Sequence, residues 1–165
     1  MNKKECLKLI IDAIKSLIKN DENLIERKLK EECINHRLAL YLEQLINNSL
    51  NLSVDLEYDK NLENSKVICS KLNSKIKIRP DILIHQRNSN ANNLIAIECK
   101  KGYLNKHDFH KLIELGKSPY KYTLPIGISY QPEKNYLLLY YFEGDKKNRI
   151  KLNKKDFSLD PEMTF

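Results

Sequence analysis

The sequence predicts one α/β domain in three layers, with a central mixed sheet and helices on both of its faces. Three observations carry that expectation. Residues 3–19 and 34–45 repeat apolar side chains at helical spacing. Two central runs, 76–85 and 94–100, are short, apolar and rich in isoleucine, as buried strands are. A further helical stretch at 105–115 separates them from another apolar run at 125–130, and strands that alternate with helices point to layered α/β architecture.

The first helix sets Cys6, Leu7, Ile10, Ile14, Leu17 and Ile18 on one side and lysines on the other. Asn20-Asp21-Glu22-Asn23 breaks it and offers a cap to a second helical stretch over 22–47, interrupted near 28–31. Ile34, Leu38, Leu42 and Leu45 form the stripe of its later part, and Asn47-Asn48-Ser49 closes it. Residues 53–58 alternate as a half-buried strand does. The polar, lysine-rich stretch 59–74 reads as a loop. The strands at 76–85 and 94–100 are joined through the polar link 87–92, which suits an antiparallel pair. Gly116 closes the helix at 105–115. Strands at 125–130 and 135–142 follow, and Glu143-Gly144-Asp145-Lys146 turns the chain toward 149–152. The expected division is a helical extension over 1–30, a core over 31–152 and an extended surface tail over 153–165. The sheet is expected to hold about four or five strands.

A chain of 165 residues, 41% of them hydrophobic, is long enough to bury one core. Lys and Arg number 29 against 22 Asp and Glu, a formal charge of +7. That balance favours polyanionic partners such as nucleic acid. The abundance of lysine, asparagine and isoleucine also fits an AT-rich coding sequence. Cys6, Cys33, Cys69 and Cys99 are scattered, with no Cys-x-x-Cys pair, so they read as reduced, mostly buried thiols of a cytoplasmic protein rather than as zinc ligands. Cys33 and His36, three apart on one helix, are poorly placed to act as nucleophile and base. His107 and His110 lack the carboxylates at helical spacing that a zinc site would add. The basic N-terminus is not followed by the unbroken apolar core of a secretory leader, and the longest apolar run, 136–142, is too short to span a bilayer. The tyrosines at 120, 122, 130, 136, 140 and 141 suit either a core edge or base stacking.

The chemistry-bearing pattern lies in the two central strands. Pro80-Asp81 opens the first apolar run, and Glu98-Cys99-Lys100 ends the second. Proline cannot donate to a sheet ladder, which suits a strand start. Strand side chains alternate, so Glu98 and Lys100 share a face. The preceding Leu94-Ile95-Ala96-Ile97 is apolar on both faces, so the strand carries charge into a closed region, which is costly without a function. Two carboxylates about 4 Å apart repel by roughly 4 kcal/mol at an effective dielectric near 20, and a divalent cation with an adjacent lysine relieves that repulsion.

The run Pro80-Asp81, apolar strand, spacer, apolar strand, Glu98-x-Lys100 resembles the signature of the PD-(D/E)XK nuclease superfamily, with its restriction-endonuclease-like fold. The basic helix and the strand Ile126-Gly127-Ile128 that follow keep the family's order. The resemblance covers about residues 31–130 and implies a Mg²⁺-dependent (or Mn²⁺-dependent) nuclease that hydrolyses phosphodiester bonds, in DNA rather than RNA, in a restriction, repair or phage-defence setting. It implies metal ligation by Asp81, Glu98 and the carbonyl of Cys99, with Glu32 or its neighbour Glu31 supplying a carboxylate from the preceding helix. Lys100 would orient and help deprotonate an attacking water and stabilise the transition state. Lys101, His107, Lys111 and Lys117 would grip phosphates. The chain departs from the family in its small size, with no separate DNA-reading domain to supply target specificity; a homodimer, or a partner protein in a larger system, is the expected assembly. The alternative is a nuclease-like domain that binds nucleic acid or a protein without cutting; a third reading is a plain interaction domain.

Overall fold

A computed structural model describes residues 1–46, 51–69, 74–143 and 146–162. The chain opens with α1 (Lys3–Glu26), started by a reciprocal cap between Asn2 and Glu5. The break expected at 20–23 is a kink within this helix, at Asp21. There the Asp21 carboxylate accepts hydrogen bonds from Arg37 Nε at 2.9 Å and the Tyr41 hydroxyl at 2.5 Å, so the bend is tied to the next helix. That helix, α2 (Glu31–Leu45), buries Ile34, Leu38 and Leu42 against α1 and the sheet. The helix end read at 47–49 lies outside the described residues.

Next come β1 (Ser53–Leu56), β2 (Lys60–Asn61), β3 (Asn64–Ser65), β4 (Val67–Cys69), β5 (Lys75–Lys77), β6 (Ile82–His85) and β7 (Asn93–Lys100). Then follow α3 (Lys106–Leu115), β8 (Leu124–Ser129), β9 (Tyr136–Glu143), β10 (Lys146–Asn153) and β11 (Leu159–Glu162). Among the described residues one mixed sheet of seven strands runs β1-β6-β7-β8-β9-β10-β11. Only the β7–β8 pair is parallel, and α3 is its crossover. The α1 and α2 helices lie on one face and α3 on the other, which makes the three layers.

Four expectations are corrected. The stretch 59–74 is not all loop: β2–β3 and β4–β5 form two small ribbons. The single strand expected at 76–85 is split, because Pro80 has no N–H to extend the ladder; β5 pairs with β4 and β6 joins the main sheet. The expected tail is partly an edge strand, since β11 pairs with β10 from Arg149↔Glu162 to Leu152↔Leu159. The sheet is therefore wider than the four or five strands expected, with β10 and β11 extending it beyond β9. Of the four cysteines, Cys6 and Cys99 are buried free thiols while Cys33 and Cys69 are exposed.

The β4–β5 ribbon packs over the α3 face, where Ile68 and Ile78 meet Leu83, Ala96 and Leu115. The Tyr120 hydroxyl accepts from the Val67 N–H at 2.7 Å and donates to the Val67 carbonyl at 2.6 Å, completing the ribbon's hydrogen bonds. On the opposite face Tyr130, fully buried after β8, donates from its hydroxyl to Asn35 Oδ1 at 2.8 Å. This bond ties α2 to the sheet one turn from the Glu31 end of the helix. Tyr130→Phe strands the buried Asn35 carbonyl oxygen, and a loss of about 1–3 kcal/mol is expected in urea unfolding.

Candidate active site

The ends of β6 and β7 carry the charged residues. Asp81 stands one residue before β6. Its N–H donates to the Ile97 carbonyl at 3.1 Å, and its Oδ2 accepts from the Cys99 N–H at 2.6 Å. The N–H and C=O of one strand residue face the same neighbour, so the Cys99 carbonyl also faces the Asp81 side. Glu98 and Lys100 share the face toward α3, while Cys99 turns its thiol to the core, 3.4 Å from the Tyr130 hydroxyl.

A cleft of about 400 Å³ opens here, lined by Glu31, Glu32, Asn35, His36, Asp81 and Lys100 among others. Glu31 rather than Glu32 is engaged: its carboxylate accepts from the Lys101 backbone and feels the charges of Lys100 and Asp81. Glu32 lies on the rim, exposed to solvent. Helical geometry explains the difference, since adjacent positions are about 100° apart and only one can face the sheet. Glu98 does not line the open cleft. It is fully buried behind it, with Oε2 on the Lys111 ammonium.

Two carboxylate oxygens in this group, Glu31 Oε2 and Glu98 Oε1, are buried with no hydrogen-bond partner. Burial pushes the Glu98 carboxyl up to about 7, with Lys111 opposing and Asp81 reinforcing the shift. Burial likewise raises Asp81 and Glu31, against the pull of the Cys99 N–H on the one and Lys100 on the other. For Lys100 burial acts downward, but the carboxylates of Glu31, Asp108, Asp81 and Glu98 outweigh it and hold the ammonium above its ordinary value. Lys100 is thus a fixed positive charge in a carboxylate cluster.

These shifts set a pH dependence. A carboxyl that titrates higher when folded leaves the native state holding more protons than the unfolded chain. Its contribution to stability is complete below the unfolded value, 4.5 for Glu98, and is lost as pH rises through about 7. The melting temperature of Glu98→Gln, compared with wild type across that window, should fall less steeply with pH.

The donor set is all oxygen, which fits a hard divalent ion such as Mg²⁺, and two of the oxygens lack partners. As arranged, no group of three or more His, Cys, Asp or Glu among the described residues encloses a metal ion. Lys111 supplies the positive charge at Glu98 instead.

The remaining residues expected at a nucleic-acid interface divide. Lys111 is not on a solvated helix face: its ammonium is held by Glu98 and lies 3.8 Å from Asp108. Its position one turn after His107 hid this, because only the sheet below α3 reveals which helix face is buried. His107 is exposed near the start of α3. Lys117 lies just past the C-terminal end of α3 and pairs with Glu114 at 2.8 Å. Lys101 Nζ reaches the Lys28 carbonyl at 3.4 Å and lines a separate groove. Tyr130 is the core tyrosine rather than a base-stacking one, and its partner Asn35 was not read from the sequence; a lone asparagine on an otherwise apolar helix stripe was the available signal. No helix among the described residues is long and apolar enough to cross a membrane. Comparison of the chain with family models, curated proteins and solved structures returns no match.

Proposed function

We propose that the chain is a Mg²⁺-dependent (or Mn²⁺-dependent) nuclease of the PD-(D/E)XK type that hydrolyses phosphodiester bonds, in DNA rather than RNA. The observation that carries this reading is the convergence of Asp81, Glu98, Lys100 and Glu31 at one sheet end, with buried carboxylate oxygens left without partners. The order helix, three antiparallel strands, crossover helix, parallel strand from α2 to β8 supports it further. The charge of +7 suits a polyanionic substrate.

When bound, the ion would be held by Asp81, Glu98 and the Cys99 carbonyl, with Glu31 beside it, and would supply Lewis-acid stabilisation of the phosphate oxygens and a more acidic water. Lys100 holds the attacking water by hydrogen bonding and offsets the charge that develops on the phosphoryl group. An ammonium has no lone pair to accept a proton, so with Lys100 charged the water's proton leaves to a carboxylate or to solvent. The Cys99 N–H fixes Asp81, and the Tyr130–Asn35 bond fixes the helix that presents Glu31.

The alternative, a nuclease-like domain that binds without cutting, is favoured by one observation: Lys111 already neutralises Glu98. The two are separated by incubating the protein with supercoiled plasmid, linear duplex and single strands in Mg²⁺, Mn²⁺ or EDTA. Metal-dependent breakdown of any substrate supports the nuclease; binding without breakdown supports the alternative.

A further inference from the structure

The sheet face beside α3 carries a strip of aromatic and cationic residues outside the cleft. Paired strand residues share a face, so the register places Lys100, Ser129, Leu138 and Lys151 in one row across the sheet. The next row is Glu98, Gly127, Tyr140 and Arg149, and Phe142 pairs with Lys147 beyond it. Three strand spacings of about 4.8 Å separate β7 from β10, roughly 14 Å. The β10 cations therefore stand on the same face as Lys100.

Each of these cations is set against a ring. Lys147 Nζ lies 4.7 Å from the centre of Phe109, and Lys151 Nζ lies 4.5 Å from the centre of Tyr136. Arg149 hydrogen-bonds the Tyr140 hydroxyl. Phe109 stands edge-on to Tyr140 and Phe142, at 5.3 and 6.2 Å, which closes the strip's floor against α3. Tyr103 lies near enough to Tyr140 to act on it electrostatically and is 62% exposed, so its ring is open to a ligand. It follows Gly102, whose surroundings are open, three residues after Lys100. β11 sets Asp160 opposite Lys151 in the ladder, so an acidic position bounds the strip on its outer side.

We propose that this strip, formed by Tyr103, Tyr136, Lys147, Arg149 and Lys151, binds single-stranded nucleic acid. The cations take phosphates, and the exposed Tyr103 ring offers its faces to unpaired bases, while Tyr136 holds Lys151 in place. Bases in a duplex are already stacked and paired and cannot reach those faces, so the aromatic component favours a single strand. That the strand then enters the cleft rests on the nuclease reading; that it binds does not.

The test is fluorescence anisotropy in EDTA with a dT oligomer, an rU oligomer and a duplex of equal length, followed by addition of Mg²⁺ to the single strands. Wild type should bind one or both single strands about tenfold or more tighter than the duplex, and the tighter of the two identifies DNA or RNA. Tyr103→Ala, at an exposed position whose loss leaves the fold intact, should weaken single-strand binding about tenfold. Lys151→Gln should lower the salt slope by about 0.7. Lys8→Gln, exposed on α1 on the opposite face, should change nothing. Duplex binding as tight as single-strand binding, no binding at all, or equal losses in Lys8→Gln and Lys151→Gln would overturn the proposal. Single-strand binding that survives without cleavage in Mg²⁺ would overturn the nuclease reading alone.

Discussion

Lys100→Ala is expected to lower the single-turnover cleavage rate about a hundredfold or more while changing nucleic-acid affinity only modestly. The side chain lines the cleft beside Asp81 and Glu31, and the surrounding carboxylates keep it protonated. A charge fixed where negative charge develops stabilises the transition state far more than the ground state. Its loss from the ground state is one phosphate contact, a decrease in salt slope of about one. Lys101→Ala is the control. That ammonium reaches the Lys28 carbonyl in another groove, so its removal should leave the cleavage rate nearly intact. The two variants are compared in a single-turnover assay beside a salt-titrated binding assay. A dead Lys101→Ala with an active Lys100→Ala would mean that the wrong face of β7 has been assigned to the chemistry.

Asp81→Asn and Glu98→Gln should each abolish measurable Mn²⁺ or Mg²⁺ binding, because each removes a charged oxygen from a hard-ion site. For wild type, metal at a hundredfold above its Kd should stabilise the fold by about 2.7 kcal/mol, and both variants should lose that increment. The folds should survive for different reasons. Glu98→Gln keeps an amide oxygen to accept from Lys111, whereas Glu98→Ala leaves that ammonium with Asp108 at 3.8 Å and should cost about 3 kcal/mol or more. Asp81→Asn retains the oxygen that accepts from the Cys99 N–H and relieves repulsion with Glu31 and Glu98. Unchanged calorimetric affinity in both variants would remove these carboxylates from any metal site.

Strand alternation was enough to read Glu98 and Lys100 as neighbours on one face, and Pro80 was enough to place Asp81 at a strand start. The choice between Glu31 and Glu32 was not legible, since it depends on how α2 is rotated about its axis over β7. The burial of Ile34, Leu38 and Leu42 and the Tyr130–Asn35 bond across 95 residues of chain together hold that rotation, and the bond is revealed by no local pattern. The role of Lys111 was hidden similarly. Its charge suggests a solvated helix face, and only the buried Glu98 beneath α3 draws it inward. The ribbons within 59–77 escaped because their strands are two or three residues long, too short to show periodicity. The edge strand β11 escaped because its pairing is specified by β10 rather than by its own sequence.

Cleavage of a labelled strand by wild type and Asp81→Asn, each assayed in Mg²⁺ and in EDTA, tests most directly whether one carboxylate–lysine centre hydrolyses phosphodiesters. Cutting by wild type in Mg²⁺ alone, with Asp81→Asn inert yet folded, is the expected result. Cutting that persists in EDTA or in Asp81→Asn, or no cutting of any strand by wild type with either Mg²⁺ or Mn²⁺, would contradict it.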